Sequence, residues 1–196
     1  MSNDPHTVLI ENVRLSFPCL FTAKQGRDAN GQPQGKPMFS AVFLMDKVTN
    51  KKDIDKLTAA ALFTKKEKWQ EKPVNLPRRS IRDGADKVAT DGYGEKVMFI
   101  SARNEKRPHV VGRKLGPLTE TDGVIYAGCY VNAEVRCWAQ DNSYGKALNW
   151  SLQKVQFVRN GQPFGEKQTP VESVFKPIED EDDSSPVDTA AANDAI

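Results

Sequence analysis

Between residues 125 and 139 apolar and polar positions alternate without interruption. Ile125, Ala127, Cys129, Val131, Ala133, Val135, Cys137 and Ala139 share one parity; Tyr126, Gly128, Tyr130, Asn132, Glu134, Arg136 and Trp138 share the other. A period of two belongs to a half-buried strand, and the small apolar set faces the core. Shorter runs predict further strands at 8–17, ended by Pro18, at 38–45, at 96–103 and briefly at 109–111. Residues 124–140 and 147–159 read as two long strands joined by the turn-forming 141–145, with Asn160-Gly161 as another turn signal. Helical spacing occurs over 52–70, where Ile54, Leu57, Ala61, Leu62 and Lys65 recur and Trp69 sits near the end. Gly26, Gly31, Gly35, Pro33 and Pro37 predict a loop over 23–37, and Pro73, Pro77, Gly84, Gly92 and Gly94 a long connection over 71–94. Many strands, one helix and long basic loops imply a mainly β domain, a small barrel or a sandwich.

Charge divides the chain in two. All 28 Lys and Arg precede residue 179, with 19 of the 26 acidic residues, so the body carries +9. The last eighteen residues hold seven acids and no base. A cationic surface attracts polyanions through phosphate contact and counterion release. An acidic tether can occupy that surface when it is empty or present itself to a basic partner when it is filled; a plain solubilising tail is the other reading. The expected organisation is a short N-terminus (1–7), one domain (8–178) and a disordered acidic tail (179–196).

The remaining composition mostly excludes. No apolar run approaches the ~20 residues of a membrane helix, and Met1 to Pro5 show no signal pattern, so the expected location is the cytoplasm. Cys19, Cys129 and Cys137 form no CxxC pair, and His6 and His109 lie far apart, which argues against a disulfide framework or a metal, and no cofactor is expected. No phosphate-cradling or dinucleotide glycine motif occurs. Asp83 and Asp86 are the only close carboxylates in a candidate site. Their Arg82-Asp83-Gly84 context suits a loop-ordering aspartate, leaving a metal-dependent nuclease as the residual enzyme reading.

The polar face of 125–139 is unusual in carrying two Tyr and a Trp beside an Arg. Unpaired bases stack on such faces without regard to sequence. Cover by the helix, or a protein interface, would use the same residues. The candidate stacking residues are Tyr126, Tyr130, Trp138 and Trp150, with Phe99 and Tyr93 behind them. Arg14, Lys36, Arg82, Lys96, Arg103 and Arg136 are candidates for neutralising phosphates, within a wider basic set that includes Arg78 and Arg79. Tyr144 and Lys146 lie in the 141–146 turn.

Five segments carry a resemblance: Arg14-Leu15-Ser16-Phe17-Pro18, Phe39-Ser40-Ala41-Val42-Phe43-Leu44, Ile81-Arg82-Asp83-Gly84, Gly128-Cys129-Tyr130-Val131-Asn132-Ala133, and Val155-Gln156-Phe157-Val158-Arg159-Asn160-Gly161. In this order the chain resembles the tailed-phage single-stranded DNA-binding proteins over about residues 8–178. The resemblance implies an OB-fold barrel that coats single-stranded DNA in phage replication or recombination. It also implies an acidic tail, here Glu179, Asp180, Glu181, Asp182 and Asp183, that competes with DNA or recruits replication and recombination proteins. Many bacterial-type tails end in an aromatic residue; this one ends Asn193-Asp194-Ala195-Ile196, so docking into a pocket built for a terminal Phe is not implied. A binder of duplex DNA or RNA remains the alternative, and oligomeric state is not legible.

Overall fold

The alternating segments pair into one sheet that closes on itself. The computed structural model describes residues 4–165, apart from 29 and 71. Its elements are β1 (Thr7–Arg27), β2 (Pro33–Asp46), α1 (Lys51–Trp69), β3 (Arg82–Asp83), β4 (Val97–Asn104), β5 (His109–Val111), β6 (Tyr130–Asn142) and β7 (Gly145–Arg159). Antiparallel ladders run β4-β2-β1-β6-β7, and the parallel pair Ala102–Trp150 joins β7 back to β4. This closed five-stranded barrel has the OB-fold's strand order. Short β3 extends the sheet beside β4, and β5 pairs in parallel with β7.

The barrel interior is apolar. Ile10, Leu15, Phe43, Ile100, Val131, Val135 and Leu152 are all fully buried there. The core parity read from β6 holds at Cys129, Val131, Ala133, Val135 and Cys137. Burial pushes the Cys129 and Cys137 thiols up, away from the reactive thiolate. Helix α1 packs on β1 and β6 through Asp53, Leu57, Ala60, Ala61 and Thr64, one stripe at helical spacing. Leu62, expected in that stripe, points outward and is 61% exposed. The Trp69 indole donates to Asp141 Oδ2 at 2.7 Å, anchoring the end of the helix to β6.

A second apolar layer lies outside the barrel. Leu44 and Phe99 leave β2 and β4 on the side opposite the core residues Phe43 and Ile100, yet both are buried. Tyr93 covers Phe99, edge to face at 5.1 Å. The 82–95 excursion that brings Tyr93 there is pinned by Asp83, which accepts from Lys47 Nζ at 2.7 Å and from the Ala85 N–H at 3.0 Å.

Four expectations are corrected. The strand expected to stop at Pro18 runs on to Arg27, because the register shift between Ser16 and Cys19 absorbs the proline in a bulge that needs no ladder N–H. The loop expected over 23–37 is mostly the far half of the β1–β2 hairpin: Lys24 pairs with Met38 and Arg27 with Pro33. Its glycines fall at further register shifts and at the turn, where they relieve strain instead of breaking strands. Residues 124–129 are not strand, and Asn160-Gly161 is not a hairpin turn. Gly128 has φ +109°, and it and Gly161 pass so closely that a Cβ on either would strike the other segment's backbone.

Candidate nucleic-acid interface

Four arginines meet over the outer surface of β4 and the start of β7. Arg78, Arg79, Ser80, Arg82, Ser101 and Arg103 line a cleft of about 190 Å3, closed on its far side by Gln140, Asn149 and Trp150. Three pieces of local structure place them. Arg82 lies in β3, paired with Phe99 on β4. Its guanidinium donates to Ser101 Oγ at 2.5 Å and lies 4.3 Å from the centre of the Phe99 ring. Ser101 and Arg103 follow Phe99 along the same face of β4, two residues apart each time. The third piece is Trp150, whose indole donates to the Ser80 carbonyl at 3.1 Å and so ties the Arg78-Arg79-Ser80 segment to the barrel.

The electrostatics of this cleft are one-sided. None of Arg78, Arg79, Arg82 and Arg103 has a carboxylate at ion-pair distance among the described residues. Lys36, Lys47, Arg136 and Lys154, by contrast, pair with Glu105, Asp83, Asp4 and Glu134. Burial, and then the charge of Arg78 and Arg103, hold the Arg82 guanidinium below the usual arginine range. Arginine does not give up its proton, so the crowding leaves positive charge with no carboxylate paired to it among the described residues. An anion entering the cleft supplies the balancing charge, and phosphate suits the guanidinium fork. The β6–β7 hairpin tip lies beyond Gln140 and Asn149 and carries Tyr144, 92% exposed, and Lys146.

The aromatic face of β6 is arranged differently. Tyr130 already has Arg159 over its ring at 3.3 Å and Arg14 at 5.7 Å. Arg14 also donates to the Gln162 carbonyl at 2.6 Å and lies 4.1 Å from the Phe164 ring centre. The Tyr126 hydroxyl donates to the Gly161 carbonyl and accepts from the Gly161 N–H, both at 2.9 Å. Together these interactions clasp residues 160–164 onto the barrel. The Tyr126 hydroxyl, the Tyr130 ring and the Arg14 guanidinium are thus all engaged within the fold.

The other candidates are scattered. Trp150 and Phe99 are each 1% exposed, so neither ring offers a free face. Trp150 is core because its parity places it opposite Ala102 at barrel closure, which a single strand pattern cannot show. Tyr93 is half-buried against Phe99, and burial raises its phenol above the ordinary value. Trp138 is 40% exposed but sits at the helix end, over a cleft of about 250 Å3 with His6, Thr64, Glu67 and Lys68. Arg136 is beside it, paired with Asp4 at 3.0 Å. Lys36 lies on the hairpin arm and Lys96 just before β4, both exposed. The structure thus brings Arg82 and Arg103 together and keeps Trp138 and Arg136 as a separate pair. Gln140 and Asn149 were not singled out by the sequence, although Gln140 continues the outward parity of Tyr126 to Trp138.

Comparison with known proteins agrees with the barrel and the order of its segments. Residues 6–185 match the family described as Enterobacter phage Enc34, ssDNA-binding protein. The chain is 39% identical over 167 residues to the putative protein p50 of Acyrthosiphon pisum secondary endosymbiont phage 1, covering 80% of this chain and 85% of that one. Among solved structures it is similar to the single-stranded DNA-binding protein from bacteriophage Enc34 in complex with ssDNA. The TM-score is 0.72 and the identity 30%, covering 82% of this chain and 90% of that one. The C-terminal truncation of the same Enc34 protein gives a TM-score of 0.70 at 30% identity, covering 81% and 88%. The chain belongs to this phage single-stranded DNA-binding protein family.

Proposed function

We propose that this chain binds single-stranded DNA without regard to sequence and without catalysis. The observation that carries the reading is the cleft of four arginines lacking any carboxylate partner among the described residues, set on the outer face of an OB-fold barrel. The Enc34 protein's complex with ssDNA supports it. Arg78, Arg79, Arg82 and Arg103 hold phosphates, with Lys96 extending the basic surface, and Tyr144 offers a ring at the hairpin tip. Trp138 and Arg136 form a second, weaker contact for a longer strand. The nuclease alternative loses its carboxylate: Asp83 has one oxygen on Lys47 and the other on the Ala85 N–H, and no group of three metal-ligating side chains converges among the described residues.

The rest of the proposal reaches beyond the described residues. One nucleic-acid-binding domain spans about 8–178, and the acidic stretch Glu179, Asp180, Glu181, Asp182 and Asp183 either competes for the cationic surface or engages replication and recombination proteins. The setting is the host cytoplasm; no helix among the described residues is long and apolar enough to cross a membrane.

The test is a titration of the full chain with fluorescent oligo-dT across a salt series, with poly-U and a DNA hairpin as competitors. Tight binding with a steep salt slope, preferring oligo-dT, is expected. Preference for the hairpin or for poly-U would move the reading to duplex DNA or RNA, and no binding would end it.

A further inference from the structure

Phe17 belongs to neither apolar layer. Its ring is 57% exposed in the middle of β1, while nearby Leu15 and Leu20 are buried inside the barrel. Its backbone has φ +46°, a left-handed value that a bulky side chain rarely adopts. Phe17 occupies the bulge between Ser16 and Cys19, and bulges re-aim side chains. On the outer surface two rows of paired residues cross the sheet on either side of it. One runs Ser16–Val42–Ser101 and the other Cys19–Ser40–Arg103. Two strand spacings, roughly 10 Å, separate the Phe17 backbone from Ser101, which holds Arg82, and from Arg103. On the second row the short Ser40 lies between, while over the first the Tyr93 phenol reaches Ser16, which leaves the Arg103 side the more open.

An exposed phenyl ring gains nothing for folding, and a left-handed Phe costs stability. Such an outlier is the starting point for a functional reading. We infer that Phe17 is a base-stacking platform of this protein, taking an unpaired base whose neighbouring phosphate lies toward Arg103 and Arg82. The inference rests on the single-strand reading above and adds to it the apolar half of the site. Duplex DNA keeps its base faces covered, so a ring in this place selects unpaired strands.

Strain and exposure make the test unusual, since binding and stability respond separately. Phe17→Gly relieves the left-handed backbone and uncovers no core, so its thermal midpoint stays close to the parent's. Its Kd for oligo-dT rises about tenfold. Phe17→Leu, apolar but without a ring, shows the same loss, whereas Phe17→Trp keeps the parent affinity and adds fluorescence that oligo-dT quenches beyond the parent's own. If glycine impairs folding, the Leu and Trp variants decide alone. Parent-like affinity in Phe17→Leu, or an added tryptophan signal indifferent to oligo-dT, overturns the assignment while leaving the proposed function standing. A parent chain that ignores oligo-dT overturns both.

Discussion

Two clusters in this barrel combine arginine with aromatic rings, and they do opposite things. Around Tyr130, Arg14 and Arg159 direct their charge at carbonyls and ring faces of the chain itself, with Phe164 and Tyr126 completing a clasp on residues 160–164. Around Ser101, Arg78, Arg79, Arg82 and Arg103 face a cleft with no carboxylate partner among the described residues. Composition does not separate the two. What separates them is how far the described chain satisfies each: Arg14 and Arg159 both donate to oxygens of the fold, whereas in the cleft Arg82 donates to Ser101 Oγ and no arginine has a carboxylate partner among the described residues. A cation satisfied within the fold stabilises the fold, and one left unsatisfied waits for an anion.

The sharpest way to break the comparison is at the clasp. Gly128→Ala forces a Cβ into the Gln162 carbonyl at a backbone angle that favours glycine, and should cost about 3 kcal/mol of stability. Urea unfolding measures it. Folded Gly128→Ala should still bind oligo-dT as the parent does; a selective loss of binding would mean the clasp is part of the site.

At the cleft the expectation reverses. Arg82→Ala and Arg103→Ala together should weaken oligo-dT binding by about a hundredfold, and flatten the salt slope by about 0.7 for each phosphate no longer neutralised. Stability should change little, or rise as the like-charge crowding is relieved. An unchanged salt slope would remove these two arginines from the interface.

Trp150→Phe probes the link between core and cleft. It deletes the indole bond to the Ser80 carbonyl and leaves a void in the core, and should cost about 3 kcal/mol, with a several-fold loss of affinity because the Arg78-Arg79 segment is no longer held. Affinity that stays constant while stability falls would show that the arginines need no such anchor.

The smallest effect lies at the Asp4–Arg136 pair, away from both clusters. The hydrogen bond from Arg136 is the main cause of a lowered Asp4 carboxyl, from 3.8 to about 2. A depressed carboxylate contributes stability that is fully present above its unfolded value. That contribution is lost as the pH falls from near 3.8 through about 2. Asp4→Asn should erase this step from a stability–pH profile.

How much of this was legible follows the range of the interactions. Helix α1 and the alternation of β6 are local patterns; the chain shows the helix nearly to the residue and the strand apart from its first six expected residues. The arm beyond Pro18 was not legible, because glycine and proline break a strand or sit in a bulge depending on the partner strand's register. Charge points to Arg82 and Arg103, and the two meet in the cleft. Parity points to Trp150 and Phe99, and both are buried, since parity tells which residues share a face and not what covers it.

The amino-acid sequence by itself determined a cationic, mainly β domain with one helix, because alternation, helical spacing and charge are properties of near neighbours. Which aromatic rings stay open, which arginines lack a partner among the described residues, and why Gly128 and Gly161 must be glycine were decided by the tertiary structure. Each depends on two segments distant in the chain arriving at the same few ångströms, a meeting that strand pairing across the whole sheet sets.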